Sequence, residues 1–293
     1  MNSVLQFPAP AHRLERSEEA SPRLVMVEAL HPRTAQTTRR WTPHGLRRLA
    51  GPLLLLVLWQ AVSVTGLVDE RTITSPLSVI RAAHELLGTG ELQRHFSASI
   101  TRVAYGLSIG VSAGVVLAVL AGFFRLGQDL IDSSLNMLRM IPVIAILPLI
   151  IVWMGIGEPA KIALIVIGTV FPIYMNSYAA IRGVDQKLIE AGRAYGLSRA
   201  GLIRHVIIPG AVPGFLVGLR WALGAAWLLL FFAEQVNADS GIGYLINQAQ
   251  AWNRTDIILL GMTIYALLGL TGDLAVKLLE RRLLAWRRSF DGN

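Results

Sequence analysis

The chain has 293 residues, of which 53% are hydrophobic and 16% are charged. A soluble domain carries about 25% charged residues, and so few charges do not cover this much apolar surface in water. The composition therefore excludes a soluble globular protein and indicates an integral membrane protein. The sequence contains no Cys, which excludes disulfide scaffolds, thiolate metal sites and Cys nucleophiles.

Residues 1–48 are rich in Pro, Arg and small polar residues and show no hydrophobic period. This composition is typical of disordered segments, so we predict a disordered N-terminal tail. No apolar signal-peptide core precedes residue 49, and we therefore expect the first apolar stretch to act as the insertion signal.

Six apolar stretches follow, each close to the roughly 20 residues that a helix needs to cross a bilayer. Four contain no formal charge, while the fifth contains only Arg220 and the sixth only Asp273. The stretches cover residues 49–68, 103–124, 140–157, 162–181, 211–233 and 257–276. We predict an all-α membrane protein with six transmembrane helices in one domain, residues 49–285, followed by a short tail, residues 286–293.

A further helix is predicted between the first two spans, over residues 75–100. Ser75 and Pro76 form a favourable N-cap and first helical position, and apolar residues then recur at three- and four-residue spacing. We expect an amphipathic helix on the outer surface, packed as a strut against the bundle. A binding role for this helix is the alternative.

The distribution of basic residues predicts the orientation, because Lys and Arg are retained in the cytoplasm. With the N-terminus inside, nineteen Lys and Arg fall in cytoplasmic segments and six in outer segments. We therefore expect a multi-pass protein with both termini, and both terminal tails, in the cytoplasm. The formal net charge of +8 then reflects topology and attraction to anionic membrane lipid, and we expect no nucleic-acid partner.

The long inner loop, residues 183–210, is predicted to be compact. Its two short helices cover residues 186–195 and 199–208. Asp185 is placed to cap the first helix, Gly196 follows that helix at a position that favours a left-handed residue, and Pro209 follows the second helix. Two short helices between two spans predict a rigid cytoplasmic knob that a partner protein can grip.

The same loop resembles a family motif, the EAA loop of permease subunits of bacterial ATP-binding-cassette (ABC) importers. The family pattern is Glu-Ala-Ala, three residues, Gly, nine residues and Ile-x-Leu-Pro, and its spacing matches this sequence at every position. Gly192 departs from the pattern at the third residue. In that family the loop forms coupling helices that sit in a groove of the ATPase subunit; a merely structural turn is the alternative. The resemblance implies the coupling role for Asp185, Glu190, Ala191, Gly192, Gly196, Ile208 and Pro209.

The resemblance covers residues 50–285 and is most specific to the permeases for nitrate, taurine, aliphatic sulfonates and bicarbonate. It implies the type I ABC importer permease fold in a bacterial inner membrane. It also implies a homodimer, two copies of a separate ATPase and a substrate-binding protein on the outer face. The permease itself is non-catalytic and needs no cofactor, because the ATPase subunit binds ATP. Aliphatic sulfonates are favoured as the substrate, with taurine, nitrate and bicarbonate as alternatives.

Four residues are candidates for the translocation pathway: Arg139, Pro142, Arg220 and Glu234. An Arg near the bilayer centre is costly and usually faces inward for pairing or function. Glu234 lies about 21 Å further along the same helix, so Arg220 requires a partner elsewhere. Structural pairing and lining the anion path both stay open for Arg220. For Arg139 the alternative is snorkelling, and for Pro142 it is packing.

The sequence lacks the motifs of several other classes. No G-x-x-x-x-G-K-[ST] segment occurs, so the chain does not itself cradle nucleotide phosphates. Neither H-E-x-x-H nor G-x-S-x-G occurs and the six His are scattered, so we expect neither a metal site nor catalytic residues. The alternatives of another class are a membrane enzyme and a secondary transporter. A secondary transporter would need paired acidic residues or unwound segments near the midplane.

Overall fold

The computed structural model describes residues 74–286, together with residues 51, 54–55, 57–63 and 65. Within these residues the regular structure is entirely helical. The predicted N-terminal tail, nine of the twenty residues of the first predicted span and nearly all of the predicted C-terminal tail lie outside the described residues.

Ten helices make up the part of the chain from residue 74 to residue 286. They are α1 (Pro76–Gly88), α2 (Glu91–Phe123), α3 (Arg125–Leu138), α4 (Val143–Met154), α5 (Glu158–Arg182), α6 (Gln186–Ala194), α7 (Arg199–Leu202), α8 (Ile208–Asn237), α9 (Ile242–Ala251) and α10 (Thr255–Leu283). A π-helical turn, Gln128–Asp132, interrupts α3, and a second one, Ile203–Ile207, joins α7 to α8.

Four of these helices are long and apolar enough to cross a membrane: α2, α5, α8 in continuity with α7, and α10. They confirm the second, fourth, fifth and sixth predicted spans. The third predicted span, 140–157, is not a complete span of its own, because its helix, α4, covers only Val143–Met154 and meets α3 at a bend of 87°. The pair makes a fifth crossing if it is counted as one broken span. The described residues thus support up to five spans, and the predicted total of six is not confirmed.

The bend between α3 and α4 has a local cause. Pro142 disfavours helical backbone at Ile141, and α3 accordingly ends at Leu138. After Pro142 the chain restarts as a 3-10 turn, Val143–Ile146, before α4 becomes regular.

The predicted outer helix is shorter than expected. The Ser75 hydroxyl caps α1 as predicted by accepting from the Ser78 backbone N–H at 3.2 Å. α1 nevertheless ends at Gly88, because Gly90 takes a left-handed conformation with φ of 79°, and residues 91–100 belong to α2. Buried side chains of α1 pack against α9 and α10, as expected of a strut; they are Val79, Ala82 and Leu86.

Helix α5 lies between α2 and α8, and glycines allow both close approaches. A Cβ atom on Gly106 of α2 would lie 2.6 Å from the Ile165 side chain of α5. On the other side, a Cβ on Gly218 of α8 would lie 2.8 Å from the backbone oxygen of Pro172 in α5. Small residues at helix contacts are how membrane helices gain packing without a hydrophobic driving force. The three helices therefore form the closely packed centre of the chain.

The residues described in the next subsection lie mainly at the two ends of the bundle. The loop end carries α6 and α7. The distal end is the opposite one, where α5 begins, α8 ends and α10 begins; contacts among Arg102, Glu158 and Glu234 hold it together.

Candidate functional site

At the loop end, α6 is fixed at both of its termini. The Asp185 carboxylate accepts from the Lys187 backbone N–H at 2.9 Å, which is the predicted N-cap. Gly196 adopts φ of 80°, the left-handed conformation predicted for it. The next N–H, that of Leu197, donates to the Gly192 carbonyl at 3.0 Å, which closes the end of the helix.

A small apolar core joins α6 to α7. A Cβ atom on Gly192 would lie 2.7 Å from Leu202 and 3.3 Å from Leu197, and the Leu202 side chain is buried. Gly192 therefore lets the two helices approach more closely than an Ala would. This contact gives a physical reason for the departure from the EAA pattern at that position.

The second predicted helix of the loop, 199–208, is not a separate helix. α7 continues through the π turn into α8, and Pro209 is a residue of the first turn of α8 rather than a terminator. The knob is thus built directly onto the end of a 38-residue helical run, Arg199–Val236.

The outward surface of the knob combines acidic and apolar side chains. Glu190 and Ala191 are exposed, as is Ile208. Leu188 is exposed, and Tyr195 is 90% exposed. Exposed large apolar side chains on a compact protrusion are typical of a protein–protein contact.

At the distal end, Arg102 is the centre of a buried charge cluster. Its Nε and Nη2 atoms each donate to a carboxylate oxygen of Glu158 at 2.6 Å. Its Nη1 atom donates to Glu234 at 2.7 Å and to the Ser240 carbonyl at 2.6 Å, and Nη2 also donates to the Ser240 hydroxyl at 3.1 Å. All five N–H donors of the guanidinium are satisfied, although the side chain is only 3% exposed.

Glu234 is fully buried and accepts hydrogen bonds from several elements. Besides Arg102, the donors are the Ser99 hydroxyl of α2 at 2.8 Å and the Gly243 backbone N–H of α9 at 2.8 Å. Glu234, a pathway candidate from the sequence, is thus an ion-paired group with no exposed surface. A buried carboxylate with this many donors is a structural anchor for the segment between α8 and α9.

That segment is held at successive backbone groups. The Gly241 N–H donates to His95 Nδ1 at 3.0 Å, and the Ile242 N–H donates to the Ser99 hydroxyl at 2.9 Å. A Cβ on Gly241 would collide with the Glu234 carboxylate. Only glycine therefore fits at this close approach.

A second ion-pair group lies at the same end. Arg254, just before α10, donates to Asp256 at 2.9 Å and to Glu85 of α1 at 3.1 Å. These hydrogen bonds hold the pKa of Arg254 above its usual value, so the group stays charged. The pair fixes α1 to the start of α10.

A cavity of about 670 Å³ opens beside Arg102, and a second one of about 440 Å³ is lined by Glu158 and Lys161 among others. The larger cavity is lined by Arg94, Ser97, Ala98, Thr101, Arg102, Tyr105, Glu158, Ile162, Asp239 and Ser240. Its lining combines charged groups with apolar side chains, so it is suited to a small solute with both kinds of surface.

Arg220 has the partners that its depth requires, and they are on another helix. Its Nε atom is 3.0 Å from an Asp273 oxygen, and its Nη2 atom is 3.2 Å from Glu280. Lys277 also pairs with Asp273 at 2.6 Å. All four groups are partly exposed, Arg220 by 41%.

The remaining pathway candidates lie elsewhere. Arg139 is exposed and contacts the Met175 sulfur at 3.4 Å, and Pro142 follows it in the bend between α3 and α4. The structure therefore distributes the four candidates over three places: the bend, the Arg220 group and the distal cluster. Arg220 and Glu234 remain far apart, because both lie on the continuous helix α8.

Arg102 was missed by sequence reasoning. It directly precedes the charge-free run that marks the second span, and it was therefore counted with the outer loop. Its partners are 56 and 132 residues away in sequence. The available signal was the position of Glu234 directly after the fifth apolar stretch, where an acidic group that turns inward requires a cationic partner from another helix.

Comparison with known proteins identifies the family to which this architecture belongs. The family described as "binding-protein-dependent transport system inner membrane component" matches residues 110–285. The chain is 44% identical over 239 residues to the aliphatic sulfonates transport permease SsuC of Escherichia coli (strain K12), covering 82% of this chain and 91% of that protein. It is 37% identical over 266 residues to SsuC of Bacillus subtilis (strain 168), covering 91% and 95%.

A taurine transport permease, TauC of Escherichia coli (strain K12), is 32% identical over 238 residues, covering 80% of this chain and 86% of that protein. Among solved structures, an amino acid ABC transporter matches the fold with a TM-score of 0.56 at 20% identity, covering 70% of this chain and 97% of that one. The relatives are permease subunits, in which ATP hydrolysis is the task of a separate protein. The chain belongs to the family of inner-membrane permease components of binding-protein-dependent ABC importers.

Proposed function

We propose that this chain is the permease subunit of an ATP-driven importer for aliphatic sulfonates. The observation that carries the proposal is the identity of 44% and 37% to two aliphatic sulfonate permeases, against 32% to a taurine permease. Taurine, nitrate and bicarbonate are the alternative substrates within the same class of transporter.

The working assembly is a homodimer with two copies of an ATPase at the loop end and a substrate-binding protein at the distal end. The loop end and both termini then lie in the cytoplasm, which agrees with the excess of Lys and Arg on that side. The exposed residues Leu188, Glu190 and Tyr195 supply an apolar and acidic contact for the ATPase.

The continuity of α7 and α8 provides the transmission. When ATP binding closes the ATPase pair, movement of the knob is passed along one helical run to Arg220 and onward to Glu234. The π turn at Ile203–Ile207 is the joint at which this run can adjust, since such turns often mark functional sites in helices.

The Arg220 group lines the translocation pathway. Charged side chains within the bilayer cost several kcal/mol each when they face lipid, yet Arg220 and Asp273, which lie within predicted spans, are both partly exposed. Water or a passing anion, rather than lipid, is the environment that accommodates them.

The absence of Cys makes this pathway assignment directly testable. Val217 lies one helical turn before Arg220 and is exposed, and Val116 on α2 is exposed as well. We expect a membrane-impermeant thiol reagent to label a Val217→Cys variant in membranes and to leave Val116→Cys unlabelled. Equal protection of both residues would contradict an aqueous path along the Arg220 face.

Growth of a deletion strain on single nutrients tests the substrate. We expect failure on ethanesulfonate as the only sulfur source, restored by the gene, with normal growth on sulfate. Failure on taurine alone, or on nitrate as the only nitrogen source, would keep the importer class and replace the substrate.

A further inference from the structure

The two edges of the Arg102 guanidinium have different environments. The Nη1 edge is bound to Glu234, which is 0% exposed, and to the Ser240 carbonyl. The Nε and Nη2 edge is bound in bidentate fashion to Glu158, which is 52% exposed. One edge is thus locked into the protein, whereas the carboxylate on the other edge is accessible.

Glu158 keeps a partner when it leaves Arg102. The Lys161 ammonium is 2.9 Å from the Glu158 carboxylate, and the Lys161 side chain is only 4% exposed. Release of Glu158 from Arg102 therefore leaves no unpaired carboxylate, because the pair with Lys161 remains.

The larger cavity opens at the Nε and Nη2 edge of Arg102, the edge whose partner, Glu158, can be exchanged. Arg102 and Glu158 form part of its wall, and Ala98, Tyr105 and Ile162 supply apolar surface in the same cavity. An Arg fork binds two oxygens of one anionic group in parallel. A small organic anion with an apolar body matches both parts of this wall.

We propose that the Nε and Nη2 edge of Arg102 is a transit subsite for the sulfonate group, and that Glu158 holds this position between transport events. The identity of the anion rests on the proposed function; the exchangeable position rests on the geometry. In the exchange, a sulfonate replaces Glu158 on Arg102 while Glu158 stays with Lys161. No covalent bond is made or broken.

The balance of charges around the larger cavity favours passage of an anion over its tight binding. The cavity and the groups directly behind it carry equal numbers of cations and carboxylates: Arg94, Arg102, Lys161, Glu158, Asp239 and Glu234. A neutral lining attracts an anion only weakly, and conduction requires that a solute can leave as readily as it enters.

The test uses the complete permease with its ATPase, purified in lipid nanodiscs without the binding protein. Glu158→Ala empties the exchangeable position and leaves the site with one additional positive charge. We expect sodium methanesulfonate to raise the unfolding temperature of this variant more than sodium chloride does at equal ionic strength. Labelled ethanesulfonate should bind the variant at least about tenfold more tightly than it binds wild type.

Two controls separate the subsite from general effects. Glu85→Ala removes a carboxylate of similar exposure that pairs with Arg254, and it should show no specific response to methanesulfonate. Adding Arg102→Lys to Glu158→Ala keeps the charge but removes the fork, and it should abolish the gain. Glu158→Gln preserves the side-chain shape and should also raise the affinity for ethanesulfonate. It serves as the test variant if Glu158→Ala folds poorly.

Equal responses to methanesulfonate and chloride, or equal ethanesulfonate affinity in wild type and both Glu158 variants, would overturn the subsite. Growth defects confined to nitrate, with methanesulfonate binding intact, would instead overturn the proposed substrate and leave the exchangeable position in place. The two failures are therefore distinguishable.

Discussion

At the scale of single residues, the distal end depends on a buried charge that is compensated on every side. Glu234 accepts from Ser99, Arg102 and Gly243 and has no exposed surface. Burying a carboxylate is costly, and removing one partner of a buried pair leaves an uncompensated charge. Glu234 thus links α2, α8 and α9 at one point.

Glu234→Gln tests this link. The amide keeps the shape of the side chain but turns one acceptor into a donor that faces other donors, so we expect a loss of about 3–5 kcal/mol. Thermal unfolding of the purified protein measures it. Glu85→Gln, in an exposed pair with Arg254, should cost no more than about 1 kcal/mol. A Glu234→Gln protein as stable as wild type would show that Glu234 is not an anchor.

The same residues mark a limit of sequence reasoning. Charge-free runs located the apolar helices, because the cost of burying charge in lipid is a local property of the sequence. The pairing of Arg102 with Glu158 and Glu234 is not local, since it depends on how three helices pack. Arg220 shows the intermediate case: its depth required a partner on another helix, and the structure supplied Asp273 and Glu280.

At the scale of helices, close packing of α5 against α2 and α8 depends on glycine. A Cβ atom added to Gly106 would lie 2.6 Å from the Ile165 side chain. A Cβ atom added to Gly224 on α8 would have no such neighbour within 4 Å. The two glycines therefore form a matched pair for substitution.

Gly106→Ala should destabilise the protein by about 1–3 kcal/mol through overpacking. Gly224→Ala should leave stability unchanged or raise it by up to about 1 kcal/mol, because Ala favours the helix. Unfolding temperatures of the two variants provide the measurement. A Gly106→Ala variant that unfolds at or above the wild-type temperature would contradict the packing.

The knob allows a second prediction at this scale. Gly196→Asp places a side chain in a left-handed conformation, φ of 80°, and Glu190→Lys reverses a charge on the exposed surface. We expect both variants to insert into the membrane normally but to lose transport and transport-stimulated ATP hydrolysis. Glu91→Lys, at the exposed start of α2, is the charge-matched control and should transport normally. Full uptake by both knob variants would exclude the coupling role.

Helix junctions were harder to predict than helices. The cap at Asp185 and the left-handed Gly196 followed from local backbone chemistry. Pro209 was interpreted as the end of a helix, yet the π turn before it lets α7 continue into α8. The bend at Pro142 was underestimated in the same way, because the hydropathy of residues 140–157 is continuous while their backbone is not.

At the scale of the whole molecule, one helical run connects the two ends. It begins in the knob, passes Arg220 with its partners on α10, and ends at the buried Glu234 cluster beside the larger cavity. In the proposed importer, this run transmits ATP-driven movement at the loop end to the substrate path and to the distal end.

ATP-dependent uptake by the reconstituted complex tests the central claim most directly. The permease, its ATPase and its binding protein are placed in proteoliposomes and supplied in parallel with labelled ethanesulfonate, taurine, nitrate and bicarbonate. We expect uptake of ethanesulfonate that requires ATP and is lost in Glu190→Lys. Uptake of nitrate or bicarbonate without ethanesulfonate would contradict the substrate, and uptake of ethanesulfonate without ATP would contradict the mechanism.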